Sequence, residues 1–393
     1  MADKGYGGET LAINGGTPLV AERMQRPSPL GKEERVAISE VMKAGLLSQA
    51  GRGPVVKAFQ KEFAALHGSR HALATPSGTT ALHAALCSLS VGKGDEVLVP
   101  SLTFVSSASV ILQQQAIPVF VDADPDTFCM SYADLERKIS SRSRALVLVH
   151  LYGHPCEMQS IMDLAVDNGL AVIEDCAQAH GASYRGRMVG TFGDAGCFSF
   201  FQTKNMTCGE GGMVITDRDE IARACSSVCD HGLIDGQLEG YDYDRLGYNY
   251  HMSELNAAVG RGQLSRLNSM NAKRREHARQ YMQSLDDTNL QFQSDSEHVD
   301  HVFHYLTALL PKELLGKRDW FVKAVREENV MLNKLYPVPL HRAKLFEDML
   351  PEQKCPVAED IAARLFNFYV DPGFGADDID LVCNAVRKVL AKM

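Results

Sequence analysis

The chain has 393 residues, 45% apolar and 23% charged, with a formal net charge of −9 at pH 7. That length exceeds what one core usually holds, so two domains are expected. The acidic balance disfavours a nucleic-acid partner, no apolar run is long enough to span a bilayer, and Met1 to Gly7 lack an apolar secretory core. The ten cysteines, at 87, 129, 156, 176, 197, 208, 225, 229, 355 and 383, have no zinc spacing. They read as reduced core residues of a cytoplasmic protein, and no metal site is expected.

In chain order, residues 1–31 are rich in Gly and Pro and read as an arm. Glu34 to Ala44 has helical spacing, with Gly45 as its stop. Val55, Val56, Phe59, Phe63 and Leu66 then recur at helical spacing up to Gly68. From there short apolar runs alternate with helix-length segments. The runs are His71–Ala74, Glu96–Val99, Pro118–Val121, Ala145–His150, Ala171–Ile173 and Gly196–Phe201. Between them lie Thr80–Leu89, Phe104–Gln113, Ala133–Ile139 and Met158–Asn168. This alternation predicts an α/β domain whose mostly parallel sheet is covered by helices on both faces. Leu233–Tyr250 is rich in Gly, Asp and Tyr and reads as a long loop, held by a partner or by function. Ser253–Leu285 reads as one helix capped by Ser253, with a domain boundary near residue 268. The organisation is thus an arm over 1–31, a large domain over 32–268 and a smaller C-terminal α/β domain over 269–393. The small domain is predicted to run strand Val302–Leu310, helix Asp319–Glu328, strand Val330–Tyr336, helix Pro356–Leu365, strand Phe366–Val370 and helix Asp377–Leu390.

Three features carry chemistry. Ser77–Gly78–Thr79–Thr80 follows the first strand and opens a helix, where free N–H groups favour an anion such as phosphate. Ala171–Val172–Ile173–Glu174–Asp175 is an apolar run ending in carboxylates, at the end of a parallel strand where open sheets place ligands. Cys197 to Phe201 is an apolar strand followed at once by Lys204. A lysine there is structurally awkward, because burial lowers its pKa, but a neutral amine is what forms a Schiff base with an aldehyde. A phosphate cradle, a carboxylate facing a pyridine nitrogen and a lysine, in that order, suit pyridoxal 5'-phosphate. A nicotinamide enzyme is disfavoured, since no Gly-x-Gly-x-x-Gly follows a first strand.

These residues belong to longer motifs. They are Ser77–Leu82, Val99–Phe104, Val149–Gly153, Glu174–Ala182, Phe198–Ser199–Phe200 with Lys204, Gly209–Gly212 and Gly247–Tyr250. In this order they resemble the sugar aminotransferases of the DegT/DnrJ/EryC1/StrS family, over roughly residues 10–390 and most densely from 70 to 265. The resemblance implies an aspartate-aminotransferase-like fold of type I and a homodimer. It implies transfer of an amino group from glutamate or glutamine to a keto sugar, nucleotide-linked, or to a keto-cyclitol. Lys204 matches the cofactor-linking lysine, which also moves the proton, and Asp175 matches the partner of the ring nitrogen. Gln178 matches a side chain beside the ring, Phe104 the aromatic stacked on it, and Gly78, Thr79 and Ser199 the phosphate contacts. Asn249 matches a residue reaching the neighbouring subunit's phosphate, and His180 and His341 match positions near the sugar. His251 stands where arginine is usual, Gln60 where glutamate is common, and Phe366–Pro372 replaces a Leu-Pro-Val-His-Pro-like run. The related pyridoxamine-dependent sugar dehydratases resemble this chain but carry histidine in place of Lys204. A cofactor-binding regulator without turnover is the other alternative.

Overall fold

The computed structural model describes residues 10–234, 242–294 and 298–393. Strands and helices alternate through the first half. β1 (His71–Thr75), α3 (Gly78–Ser88), β2 (Glu96–Pro100), α4 (Ser106–Gln113) and β3 (Ile117–Val121) follow two leading helices, α1 (Lys32–Ala44) and α2 (Pro54–His67). Then come α5 (Tyr132–Lys138), β4 (Ser143–Val149), α6 (Met158–Asp167), β5 (Ala171–Asp175), a small hairpin β6 (Ser183–Tyr184) and β7 (Arg187–Met188), and β8 (Ala195–Ser199). β9 (Gly212–Thr216) and α7 (Asp219–Cys229) complete this layer.

Seven strands form one sheet in the order β1-β9-β8-β5-β4-β2-β3. β3, β2, β4, β5 and β8 are mutually parallel, and β9 runs antiparallel between β8 and β1. The strands are apolar almost throughout because helices cover both faces, and β2, β8 and β9 are buried at every residue. β9 escaped the sequence reading, since its Met213–Ile215 run directly continues the glycines of 209–212 and was absorbed into them. α2 shows why the helices dock. Pro54 opens it, Gly68 ends it at φ +69°, and Val56, Phe59 and Phe63 form its buried stripe. Phe63 packs edge-on against Phe198 and Phe200 of the central strand region.

The expected long helix from Ser253 is two helices, α8 (Glu254–Leu264) and α9 (Leu267–Ser284), broken at Ser265–Arg266. Ser253 does cap the first, accepting from the Asn256 N–H. The C-terminal part holds β10 (Gln291–Phe292), β11 (Val299–Asp300), β12 (Leu306–Leu309), α10 (Arg318–Glu327), α11 (Lys344–Glu347), α12 (Pro356–Arg364), β13 (Leu365–Phe368) and α13 (Ala376–Leu390). β12 pairs with both β10 and β13, whereas β11 pairs with β6 of the hairpin. Val330–Tyr336 forms no strand. It meets the sheet through a bridge from Asn333 to Asn367 and through the Leu335 N–H, which donates to Asn367 Oδ1, and Tyr336 lies at φ +60°. The expected loop 233–250 falls partly outside the described residues; bridges join Leu233 to Tyr243 and Asp230 to Asn249.

The C-terminal core gathers Tyr281, Phe321, Phe366, Phe368 and Val386, and Leu11 of the arm packs into it. Phe346 and Ile361, although late in sequence, pack onto the core of the large sheet. Asp122, just after β3, accepts from the Val357 and Ala358 N–H groups and so caps α12. The two parts are therefore knitted together behind the strand ends that carry the candidate site.

Candidate active site

Neighbouring strands β5 and β8 run parallel, with Asp175 paired in register to Cys197. Successive strand residues face opposite sides of a sheet, and this divides the two carboxylates at the end of β5. Glu174 is fully buried and accepts from the N–H groups of Gly190, Phe192 and Gly193 and from His150 Nε2. It is a structural anchor for the turn leading into β8. Asp175 faces the other way. Its Oδ2 accepts from the Ser107 hydroxyl at 2.8 Å and its Oδ1 from the Ala177 N–H at 3.1 Å. Burial pushes its pKa up, while these donors and the charges of Lys204 and His150 pull it back down.

Lys204 stands five residues beyond Ser199, the last residue of β8. Its loop is fixed by its neighbours. Asn205 donates to Asn271 of α9 and to the Val302 carbonyl, and Thr207 is held by the Phe200 carbonyl and by Gln263 of α8. Among the described residues the Lys204 ammonium has no hydrogen-bond or ion-pair partner. Burial lowers its pKa from the usual 10.5 to about 8, opposed by the charge of Asp175. The acid and the amine expected from the sequence therefore share one electrostatic environment.

The third feature lies beside them. Ser77 caps α3, accepting from the Thr80 N–H at 3.1 Å, which leaves the N–H groups of the first turn facing outward. Gly78 sits so close to Ser199 that a Cβ added there would lie 2.6 Å from the serine Cβ. The helix start and the end of β8 thus form one cradle, with Thr79 Oγ1 bonded to Ser106 at 2.7 Å along its rim. Phe104 is 55% exposed, which is unusual for a large aromatic and is not a core position.

The remaining expected residues are placed as follows. Gln178 is buried, accepts from the Tyr152 N–H and donates to the Tyr336 hydroxyl at 2.7 Å. His180 is fully buried against Phe198 and Phe200, and burial together with the charge of Lys204 lowers its pKa to about 3. His341 is buried between the Ser101 hydroxyl, 2.6 Å from Nδ1, and Glu359, 2.9 Å from Nε2, so both its nitrogens are engaged within the chain. Asn249 is exposed, on a segment bridged to Asp230, and the structure does not bring it to Lys204 of its own chain. His251 pairs with Asp230 at 3.1 Å, beside Arg52. A cavity of about 480 Å³ opens there, lined by Arg52, His71, Asp230 and His251, and none of the Lys204 cluster lines it.

The residues fit pyridoxal phosphate on the donor set alone. A helix start joined to a serine strand end offers N–H and O–H donors for a phosphate. Asp175, with both oxygens already oriented, offers a carboxylate for a ring nitrogen, and Lys204 is an amine with a depressed pKa and no internal partner. Sequence reasoning missed Ser107, which orients Asp175, and Tyr336, which holds Gln178. Ser107 carried a signal, since it lies in the first turn of a helix after the Ser101–Phe104 turn. Tyr336 carried none, because a strand was expected there.

A family model described as the DegT/DnrJ/EryC1/StrS aminotransferase family matches residues 29–387. The chain is 37% identical over 364 residues to the UDP-N-acetyl-3-dehydro-alpha-D-glucosamine 3-aminotransferase of Acidithiobacillus ferrooxidans, covering 92% of this chain and 95% of that protein. It is 34% identical over 365 residues to the GDP-perosamine synthase of Escherichia coli O157:H7, covering 92% and 97%. Among solved structures it superposes with TM-score 0.85 on S. venezuelae DesV in complex with a ketimine intermediate, at 33% identity over 92% of this chain and 95% of that one.

Proposed function

Because this chain belongs to the DegT/DnrJ/EryC1/StrS aminotransferase family, we propose that it uses pyridoxal 5'-phosphate to move an amino group from an amino acid, glutamate or glutamine, to a keto sugar. The observation that carries this reading is the electrostatic coupling of Asp175, at the end of β5, to Lys204, in the loop that follows the parallel neighbour β8. The relatives named for sugar-nucleotide substrates support a nucleotide-linked acceptor, with a keto-cyclitol as the alternative.

When bound, the cofactor supplies an aldehyde and a ring that accepts electrons. The chain supplies the rest. The first turn of α3 and Ser199 would hold the phosphate, and exposed Phe104 would cover one face of the ring. Asp175, its oxygens oriented by Ser107 and Ala177, would hold a proton on the ring nitrogen. Lys204, with its pKa near 8, releases and takes up a proton at Nζ near neutral pH, as a general base requires. Exposed Asn249 serves the phosphate of a second copy, so the working unit is a homodimer.

The test is a half-reaction. Cofactor-loaded protein given L-glutamate or L-glutamine should lose its aldehyde-form absorbance in favour of the amine form, and a keto-sugar nucleotide should restore it. Absence of any exchange with both donors would overturn the reading.

A further inference from the structure

Behind Lys204 lies a cluster that the function above does not use. Arg26, in the arm, donates through Nε and Nη2 to Asp371 Oδ1 at 3.1 and 2.9 Å, and through Nη2 to the Thr203 carbonyl, one residue before Lys204. Its guanidinium lies 5.7 Å over the Tyr369 ring, which meets Tyr305 edge-on. Arg274 of α9 is 4% exposed and reaches the same Asp371 oxygen only at 3.8 Å. Its Nε and Nη1 are buried without a hydrogen-bond partner among the described residues. The arm is pressed into place here, since a Cβ on Gly373 would fall 2.5 Å from Pro27.

Two guanidinium groups share one carboxylate, which leaves a positive charge uncompensated in a largely buried place. Unmatched buried charge and unmade hydrogen bonds are both costly, and a site of this kind is completed by an anion. The Thr203 carbonyl that Arg26 reaches lies one residue before Lys204, so this place adjoins the lysine. The planar fork of an arginine suits a carboxylate with two oxygens. Arg26 retains 26% exposure of its side chain, so the spot can be reached from solvent on that side.

We propose that Arg26 and Arg274 bind a carboxylate of the amino-acid donor, with Asp371 holding Arg26 in position. This rests on the aminotransferase reading, which supplies a donor bearing a carboxylate. It also gives a role to one departure in sequence, the Asp371 that stands within the altered 366–372 run.

The test uses cofactor-loaded protein and glutarate, a dicarboxylate with no amino group, titrated by calorimetry. Glutarate should bind the unaltered protein and bind Arg26→Gln about tenfold more weakly, the factor worth one charge-assisted hydrogen bond. Arg274→Lys, which keeps the charge but loses the fork, should weaken it as well. In the half-reaction Arg26→Gln should raise the KM for glutamate about tenfold and leave kcat nearly unchanged, the pattern of lost uniform binding. Unchanged glutarate affinity and glutamate KM in both variants would overturn the proposal. So would a change confined to the KM of a keto sugar that bears its own carboxylate, which would assign the arginines to the acceptor. If no amino donor reacts with the unaltered protein while glutarate binding still depends on Arg26, the aminotransferase reading fails and the carboxylate site stands.

Discussion

Asp175 and Lys204 each alter the proton affinity of the other. The carboxylate raises the pKa of the lysine against the effect of burial, and the ammonium lowers that of the aspartate against the same effect. This coupling has a sign that can be measured. In Asp175→Asn the lysine loses the counter-charge that raises its pKa, so that pKa should fall further below 8. Turnover should drop on the order of 10²-fold, the scale for removing one preorganised electrostatic group. Steady-state kinetics and a pH titration of the half-reaction check both.

The lysine alone predicts a pH dependence. Its folded pKa of about 8 lies below the usual 10.5, so protonation opposes the fold. The opposition is complete below pH 8 and is relieved as pH rises from 8 to 10.5, because the unfolded chain holds the extra proton across that window. Cofactor-free protein should therefore gain stability over that range relative to Lys204→Met, which lacks the titration. Its capture of added pyridoxal phosphate should accelerate with a midpoint near pH 8. Urea melts at stepped pH and stopped-flow absorbance give the two curves.

Gly78 is required by space and not by backbone angle. Its Cβ would fall 2.6 Å from the Cβ of Ser199, and both atoms belong to rigid element ends. Gly78→Ala should cost about 1–3 kcal/mol, as overpacking does. It should also weaken phosphate binding by parting the two halves of the cradle. A denaturant midpoint and a cofactor titration test these separately.

Glu174 and Asp175 adjoin in sequence but should respond oppositely to mutation. Glu174→Ala strands three backbone N–H groups at the turn before β8, each worth about 1–3 kcal/mol when left unmade in the interior. The loss should appear in urea-induced unfolding, whereas Asp175→Asn should leave the melt nearly unchanged and lower turnover.

Much of this was legible in the sequence because the decisive residues lie at ends of apolar runs. Asp175 ends one strand and Lys204 follows another, and period and punctuation alone locate both. What was not legible depends on distant contacts. The break at Ser265–Arg266 has no Gly or Pro to announce it. Val330–Tyr336 has strand-like residues yet makes one bridge, because its next contact with the edge, from the Leu335 N–H, goes to the Asn367 side chain and not to the backbone. Arg26 and Arg274 are separated by most of the chain, and only the docking of the arm against Gly373 brings them to Asp371. His341, expected at the sugar, has both nitrogens engaged by Ser101 and Glu359, partners that nothing in its local sequence reveals.

The most direct test of the central claim is chemical. Protein loaded with pyridoxal phosphate is reduced with borohydride, digested and mapped by mass spectrometry. The cofactor should be found on the peptide carrying Lys204 and on no other. Attachment to a different lysine, or an unmodified Lys204 in fully loaded protein, would contradict the account.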